Sequence, residues 1–203
     1  MSLRNEEINN LFQLSGWGGF PVIDAFKRKP SSLYELRNLL KNGAAIPRGN
    51  GRSYGDSAIN RKNTIDMTGF NRFLEFDYSN GLLSVQSGTL LSDIIDIFLP
   101  KGWFPYVTPG TKFVSIGGMV AADVHGKNHV NYGSFSNHVE WIEILNSDGE
   151  IIRCSRNKNS DLFMSTFGGM GLTGIILNIA FYMRPVNTAW ISQKQLPARN
   201  LKK

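Results

Sequence analysis

The spacing of apolar positions changes several times along the chain, and each change marks an element. Leu33, Leu36, Leu39 and Leu40 recur at helical spacing behind Ser31 and Ser32, with Glu35 in the first turns, which predicts a Ser-capped helix. Asn42-Gly43 stops it, and Ala44-Ala45-Ile46 reads as a short strand. Residues 63–67 read as another strand. Residues 73–77 and 82–86 read as a hairpin closed by Tyr78-Ser79-Asn80-Gly81, since Asn-Gly is a turn signal. A helix is expected over 91–99, ended by Pro100, Lys101 and Gly102. Ser115 caps a further helix starting near Ile116. Residues 139–146 and 150–154 predict a second hairpin, 161–166 a short helix, and 175–183 a long strand ended by Arg184-Pro185. Residues 4–19 are mixed, with Trp17 read as a packed anchor and Trp17-Gly18-Gly19 as a turn. Residues 20–29 read as a linker, and the tail from 186 has no clear pattern. There is no internal repeat and no low-complexity segment.

One stretch stands outside this pattern: Pro47-Arg48-Gly49-Asn50-Gly51-Arg52-Ser53-Tyr54-Gly55-Asp56-Ser57. Glycine permits positive φ and close backbone approach. Successive N–H groups in such a loop form an anion-binding concavity, and two arginines add forked donors suited to a pyrophosphate. The loop reads either as a diphosphate wrap or as an ordinary Gly-rich turn. It is neither the G-x-G-x-x-G dinucleotide fingerprint nor a Walker loop. Ser53 and Tyr54 read as loop-shaping residues, because no base stands at a triad spacing. A second small-residue stretch runs from Gly110 through Ser115-Ile116-Gly117-Gly118 to Ala122. Its helix N-terminus favours a phosphate, and its small residues equally suit tight helix–sheet packing.

Composition narrows the classes. A chain of 203 residues with 41% hydrophobic and 19% charged residues supports one substantial domain or two small lobes sharing a ligand. The net charge of +6 points to a nucleic-acid or membrane partner until it is mapped. Residues 184–203 hold five basic and no acidic side chains, and without them the net charge is about +1. The charge belongs to the tail, so nucleic-acid binding gains little support and none is expected. The single cysteine, Cys154, excludes an internal disulfide and multi-cysteine metal sites and favours a reducing compartment. No apolar run is long enough to cross a bilayer, and there is no secretory signal. His125 and His129 lie near Asp123, but the spacing fits no zinc motif and no metal is expected.

Four ordered motifs carry a resemblance. They are Arg48-Gly-Asn-Gly-Arg-Ser-Tyr-Gly55; Pro109-Gly110-Thr111 with Ser115-Ile-Gly-Gly118; Asp123-Val-His-Gly-Lys-Asn-His129 with Gly133-Ser-Phe135 and Asn137-His138; and residues 168–176. Together they resemble the FAD-binding domain of the vanillyl-alcohol-oxidase and para-cresol-methylhydroxylase (PCMH-type) family. The likeness spans about residues 31–183 and is greatest to the decaprenylphosphoryl-ribose 2′-oxidase branch, an epimerase oxidase subunit. The resemblance implies an α+β fold of two lobes with FAD between them. The expected layout is an N-terminal segment over 1–30, a first lobe over 31–107 with its pyrophosphate loop at 47–57, a second lobe over 108–185, and a tail or the start of a further substrate domain over 186–203. It implies cofactor contacts from Pro47, Arg48, Gly49, Asn50, Gly51, Arg52, Ser53, Tyr54, Gly55, Asp56 and Ser57. It adds Gly110, Ser115, Ile116, Gly117 and Gly118, then Ala122, Asp123, Val124 and His125, and backbone near Ile176 for the adenine end or ribose. His125 is implied beside the flavin, with a structural role as the alternative. Lys127 and Asn128 are implied at the substrate entrance, and His138 reads as structural.

Relatives with covalent flavin often carry His where this chain has Arg52, so noncovalent FAD is expected, with Cys154 and His125 unused as attachment points. The activity implied is FAD-dependent oxidation of a secondary alcohol of a sugar or sugar-phosphate derivative, by hydride transfer to flavin N5. A reductase partner follows if the protein belongs to an epimerase. Cytoplasmic localisation is expected, with membrane association of a longer enzyme allowed. The family's substrate-capping domain lies beyond this stretch, so the chain alone is expected to be inactive. The rivals are the FAD domain of a sugar-lactone (aldonolactone-type) oxidase and a stand-alone, non-catalytic flavin-binding module.

Overall fold

The computed structural model describes residues 10–198 and residue 200. Two sheets organise the chain. The first contains β1 (Leu11–Leu14), β2 (Ile23–Arg28), β3 (Ile46–Arg48) and β4 (Thr64–Asp66) in the order β1-β2-β4-β3. β1 and β2 pair antiparallel, whereas β4 lies parallel to both β2 and β3. The parallel arrangement requires a crossover between β2 and β3, and α1 (Leu33–Leu40) supplies it. The Ser32 hydroxyl accepts from the Glu35 N–H, and Glu35 in turn accepts from the Ser31 N–H. That exchange starts the helix at the expected place.

The second sheet has six strands, all antiparallel. β5 (Phe73–Asp77), β6 (Leu82–Gln86), β10 (Ile175–Pro185), β8 (Val139–Leu145) and β9 (Ile151–Ser155) lie in that spatial order. β7 (Trp103–Pro105) pairs with the far end of β10. Helices α2 (Leu91–Phe98), α3 (Ile116–Ala121), α4 (His129–Tyr132) and α5 (Ser160–Thr166) complete the chain.

β10 is central to both lobes. Its Ile175 and Leu177 pack with Leu36 of α1, Ile65 and Met67. Its Ile176, Ile179, Phe181 and Met183 enter the main core with Ile94, Met119, Phe135 and Phe163. Strand alternation gives each face its own core. The irregular pairing between Ile176 and Asn178 shifts the alternation by one, so Ile176 shares a core with Ile179. The two sheets are therefore held together by the packing of β10 of the second sheet against Leu36, Ile65 and Met67.

The two sheets draw on separate parts of the chain. Strands of the first sheet lie within residues 11–66, and those of the second within 73–185, so position 107/108 falls inside the second sheet's share. The cause is non-local: the β5–β6 hairpin joins β10 through β6, almost a hundred residues later in sequence. The stretch read as a linker over 20–29 contains β2, an interior strand of the first sheet. After Pro185 the described tail has no regular element. No helix among the described residues is long and apolar enough to cross a membrane.

Candidate functional site

β3 delivers the Gly-rich loop directly into the gap between the sheets. Gly51 and Gly55 adopt positive φ, 67° and 58°. A side chain on Gly51 would run into the Arg48 guanidinium, which lies folded beneath it. Arg48 is braced there by a 2.7 Å bond from Nη2 to the Ser15 carbonyl, while its buried Nη1 has no partner. Burial pushes the Arg48 guanidinium below its ordinary pKa, against the opposing field of Asp66. The outer side of the loop is fastened by the Trp17 N–H, which donates to the Ser53 carbonyl at 2.7 Å. Gly16 packs against the carbonyls of Ser53 and Gly55, leaving no room for a side chain. Asn50 Nδ2 donates to the Phe113 carbonyl at 2.9 Å, which ties the loop to the opposite lobe.

The result is a loop whose Ser53 and Tyr54 carbonyls are engaged, by the Trp17 N–H and the Ser57 hydroxyl, while its first donors are not. Among the described residues, no backbone N–H from Gly49 through Ser53 donates to a protein acceptor. No carboxylate lies within ion-pair distance of Arg52 either. Such a cluster of unpaired donors and positive charge is chemically suited to an anion.

The opposite wall behaves differently from the sequence expectation. Ser115 caps α3 as expected, accepting from the Gly118 N–H at 3.3 Å. The Ile116 N–H donates to the Thr89 carbonyl and the Gly117 N–H to the Ser87 carbonyl, at 2.9 and 2.8 Å. The first amides of this helix are thus consumed by the protein, and its N-terminus offers no free donors to a phosphate. Its glycines pack closely on their neighbours: a Cβ on Gly117 has no room against Ser87, and one on Gly118 would sit 3.1 Å from the Ser115 hydroxyl.

Loop and helix enclose a cleft with about 880 Å³ of empty space, part of it open to solvent. Of the expected cofactor residues, Pro47, Gly49, Asn50, Gly51, Arg52, Ser53 and Ser57 line it from the first lobe. Ser115, Gly117, Gly118, Ala122, Val124 and Ile176 line it from the second. No acidic side chain is among the lining residues. Other expected residues lie off the cleft. Arg48 sits behind the loop, Tyr54 is 76% exposed with its ring edge-on to Trp17, and Ile116 is sealed in the main core. Gly55, Asp56 and Gly110 are also outside the lining.

Asp123 has a φ of 39° and a carboxylate already committed: it accepts from Ser134 Oγ and from both the N–H and Oγ of Ser136. It is a knot holding the 124–136 segment, and it does not line the cleft. That segment carries His125 and Lys127, both exposed just past Val124, with His125 edge-on to His129 at 5.7 Å. His138 stacks on Tyr106 at 4.4 Å and bonds the Tyr132 carbonyl, a packed position. Trp17, read as a packed anchor, is 59% exposed, and its backbone rather than its ring does the anchoring. Cys154 is buried in the main core and absent from the cleft lining, and burial pushes its thiol up, which makes it a poor nucleophile.

The structure adds Met67 and Ser87, which no local motif announced, and Met170 and Gly171 of the 168–176 motif, which were not named as contacts; all four line the cleft. They come from strand ends and turns, and only the packing of the two lobes brings them together.

The sequence of this gap agrees with a known family: the model described as an FAD binding domain matches residues 29–155. The chain belongs to the FAD binding domain family. It is 44% identical over 147 residues to decaprenylphosphoryl-beta-D-ribose oxidase of Mycolicibacterium smegmatis, covering 71% of this chain and 32% of that protein. It is 25% identical over 162 residues to L-gulonolactone oxidase of Mus musculus, covering 77% of this chain and 37% of that protein. It is 30% identical over 133 residues to D-lactate dehydrogenase of Anaerostipes hadrus, covering 63% and 28%. The chain thus spans about a third of the length of these relatives. The cleft of this FAD binding domain fits the cofactor. Free loop amides and Arg52 suit the diphosphate, the acid-free lining adds no repulsion, and the glycine wall lets flat groups lie close.

Proposed function

We propose that this chain is the FAD-binding part of an FAD-linked oxidoreductase that oxidises a secondary alcohol of a sugar or sugar-phosphate derivative. The observation that carries the proposal is the loop of Gly49–Ser53, which lines the cleft opposite Gly117 and Gly118 and whose backbone N–H groups have no protein acceptor among the described residues. The two lobes are read as the two sheets with their helices, meeting near residues 67–72. Bound FAD supplies the hydride acceptor for alcohol oxidation. The chain's own residues hold it: the loop amides and Arg52 neutralise the diphosphate, and Gly117 and Gly118 admit the cofactor against the second lobe.

FAD is held noncovalently in this reading, because arginine at position 52 has no nucleophilic ring nitrogen to join to a flavin. His125 and Lys127, exposed beside the cleft, orient the substrate. The sugar-type substrate is supported by the likeness to an oxidase named for decaprenylphosphoryl-beta-D-ribose. A reductase partner and a membrane contact of the longer enzyme belong to the same reading. A lactone substrate is the second reading, supported by the likeness to L-gulonolactone oxidase over 77% of the chain.

The test is a visible absorption spectrum of the purified chain titrated with FAD, then precipitated with acid. Flavin that binds and is released by acid supports the proposal. Flavin retained in the pellet overturns the noncovalent mode, and no uptake by this chain or by one extended past Lys203 overturns the cofactor reading. Oxidation of ribose-type against lactone substrates by the extended protein separates the two substrate readings.

A further inference from the structure

One residue of the cleft wall is held against its backbone preference. Met170 has a φ of 52°, in the left-handed region that favours glycine. The turn around it is otherwise built from glycine at such positions: Gly168, Gly171 and Gly174 have φ values of 73°, 82° and 137°. The Met170 N–H donates to the Ala121 carbonyl of α3, and the Leu172 N–H closes the turn on the Gly169 carbonyl, both at 2.9 Å. A Cβ on Gly171 would come within 3.2 Å of Pro47 Cγ, so the turn rests on the start of the Gly-rich loop. Met170 thus stands between α3 and the loop, and Ala121, Gly171 and Pro47 line the cleft with it.

The Met170 side chain does not serve a core. Met67, Met119 and Met183 are buried in the two larger cores, whereas Met170 is 41% exposed and belongs to neither. A long side chain that costs backbone strain and gains no core packing in the empty protein takes its contact from what enters the cleft. The thioether suits one kind of visitor. It is unbranched and polarisable, and it packs favourably on aromatic rings.

We propose that Met170 is a binding residue for a flat ring of the cofactor, and that its sulfur is open to an oxidant only while the cleft is empty. The inference rests on the FAD reading above. FAD carries such a ring at each end, and FMN and ADP each carry one of them. The oxidant that reports the contact is hydrogen peroxide. It transfers one oxygen atom to the sulfur and leaves as water, so the thioether loses two electrons and becomes a polar sulfoxide. In the empty protein this step spoils the apolar surface that the ring needs. In the filled protein the ring shields the sulfur. Met164 provides an internal control, since it is 52% exposed on α5, receives Arg156 Nη1 at 4.0 Å and lies outside the cleft lining.

The experiment treats the chain with hydrogen peroxide, with and without FAD, and weighs the peptides carrying each methionine. Without ligand, Met164 and Met170 both gain one oxygen. With FAD bound, as seen in the visible spectrum, Met164 reacts as before and Met170 is protected. FMN or ADP, whichever protects Met170, identifies the ring. Met170→Gly relieves the backbone, so the melting temperature without ligand does not fall, while FAD binding weakens about fivefold. Peroxide treatment weakens FAD uptake by the wild type and leaves that of Met170→Leu unchanged. Bound FAD with Met170 still oxidised at the rate of the empty protein overturns the proposal, as does wild-type affinity in Met170→Gly or equal peroxide sensitivity in Met170→Leu. Those results leave the cofactor reading standing. No FAD uptake by this chain or by one extended past Lys203 overturns both.

Discussion

A methyl group on Gly49 would overlap the hydroxyl of Ser115, across the gap between the two lobes. The first glycine of the loop and the cap of α3 are therefore in direct backbone-to-side-chain contact, and neither can change alone. Gly49→Ala should push Ser115 off its cap, which costs about 1 kcal/mol, and spread the cleft. FAD affinity should fall more than tenfold. Adding Ser115→Gly removes the hydroxyl and the Cβ that the methyl strikes, so the double variant should regain part of the affinity. Titration of the three proteins with FAD checks this, and a Gly49→Ala chain that binds as the wild type does would sink it.

Arg52 offers a cleaner separation of binding from stability. It has no ion-pair partner among the described residues, and its only ring contact, with Phe113, is at a distant 6.0 Å. Arg52→Ala should leave the melting temperature of the flavin-free protein nearly unchanged, within about 0.5 kcal/mol. FAD binding should weaken about tenfold or more, since a hydrogen bond to a charged group contributes about 1.5–3 kcal/mol. The loss should shrink as salt is raised, because screening already weakens the wild-type contact. A salt-independent loss would assign Arg52 a packing role instead.

What the chain reveals of this arrangement follows the range of the interactions involved. The loop at 47–57, the Ser32 and Ser115 caps and the two hairpins are set by neighbours a few residues apart, and their spacing predicts them. β1 and β2 are not predicted, because residues 11–28 show neither clean alternation nor helical spacing. β2 takes its strand character from pairing with β4, some forty residues downstream, and β1 from pairing with β2. The membership of β6 in the second sheet is hidden for the same reason, since it pairs with β10. Within the site, α3 is placed correctly yet its free amides are not, because the carbonyls of Ser87 and Thr89 that consume them arrive from another segment. Ser87 itself carries no local signal at all: one serine before a glycine becomes a cleft residue only when the lobes pack.

Asp123 should behave as a structural clasp. Its carboxylate takes three hydrogen bonds from Ser134 and Ser136 while its backbone holds a φ of 39°. Asparagine tolerates that conformation but accepts through only one oxygen. Asp123→Asn should therefore cost about 1 kcal/mol, and Asp123→Ala about 2–3 kcal/mol, as backbone strain adds to the lost bonds. Urea unfolding of both variants checks the order, and equal stability of all three proteins would show that the clasp carries no weight.

Asp66 gives the fold a predictable acid sensitivity. Burial pushes its carboxyl up, but the Thr68 hydroxyl and N–H and the Lys27 ammonium outweigh burial and hold it below the usual carboxylate range. A carboxyl lowered in the folded state contributes stability above the unfolded pKa of about 4. That contribution is lost as pH falls through the lower, folded value. Asp66 ends β4 beside Arg48 of β3 in the parallel ladder, so its protonation loosens the strand pair that launches the Gly-rich loop. Thr68→Val removes one donor and should lower stability at neutral pH by about 1 kcal/mol, after allowance for solvent screening. The gap to the wild type should stay constant from neutral pH down to about pH 5 and shrink as pH falls below the unfolded value of about 4 toward the lower, folded one. Urea midpoints of the two proteins across that range decide it: a gap that does not shrink with falling pH would come from the packing of the new methyl group, and Asp66 would not be the group that senses acid.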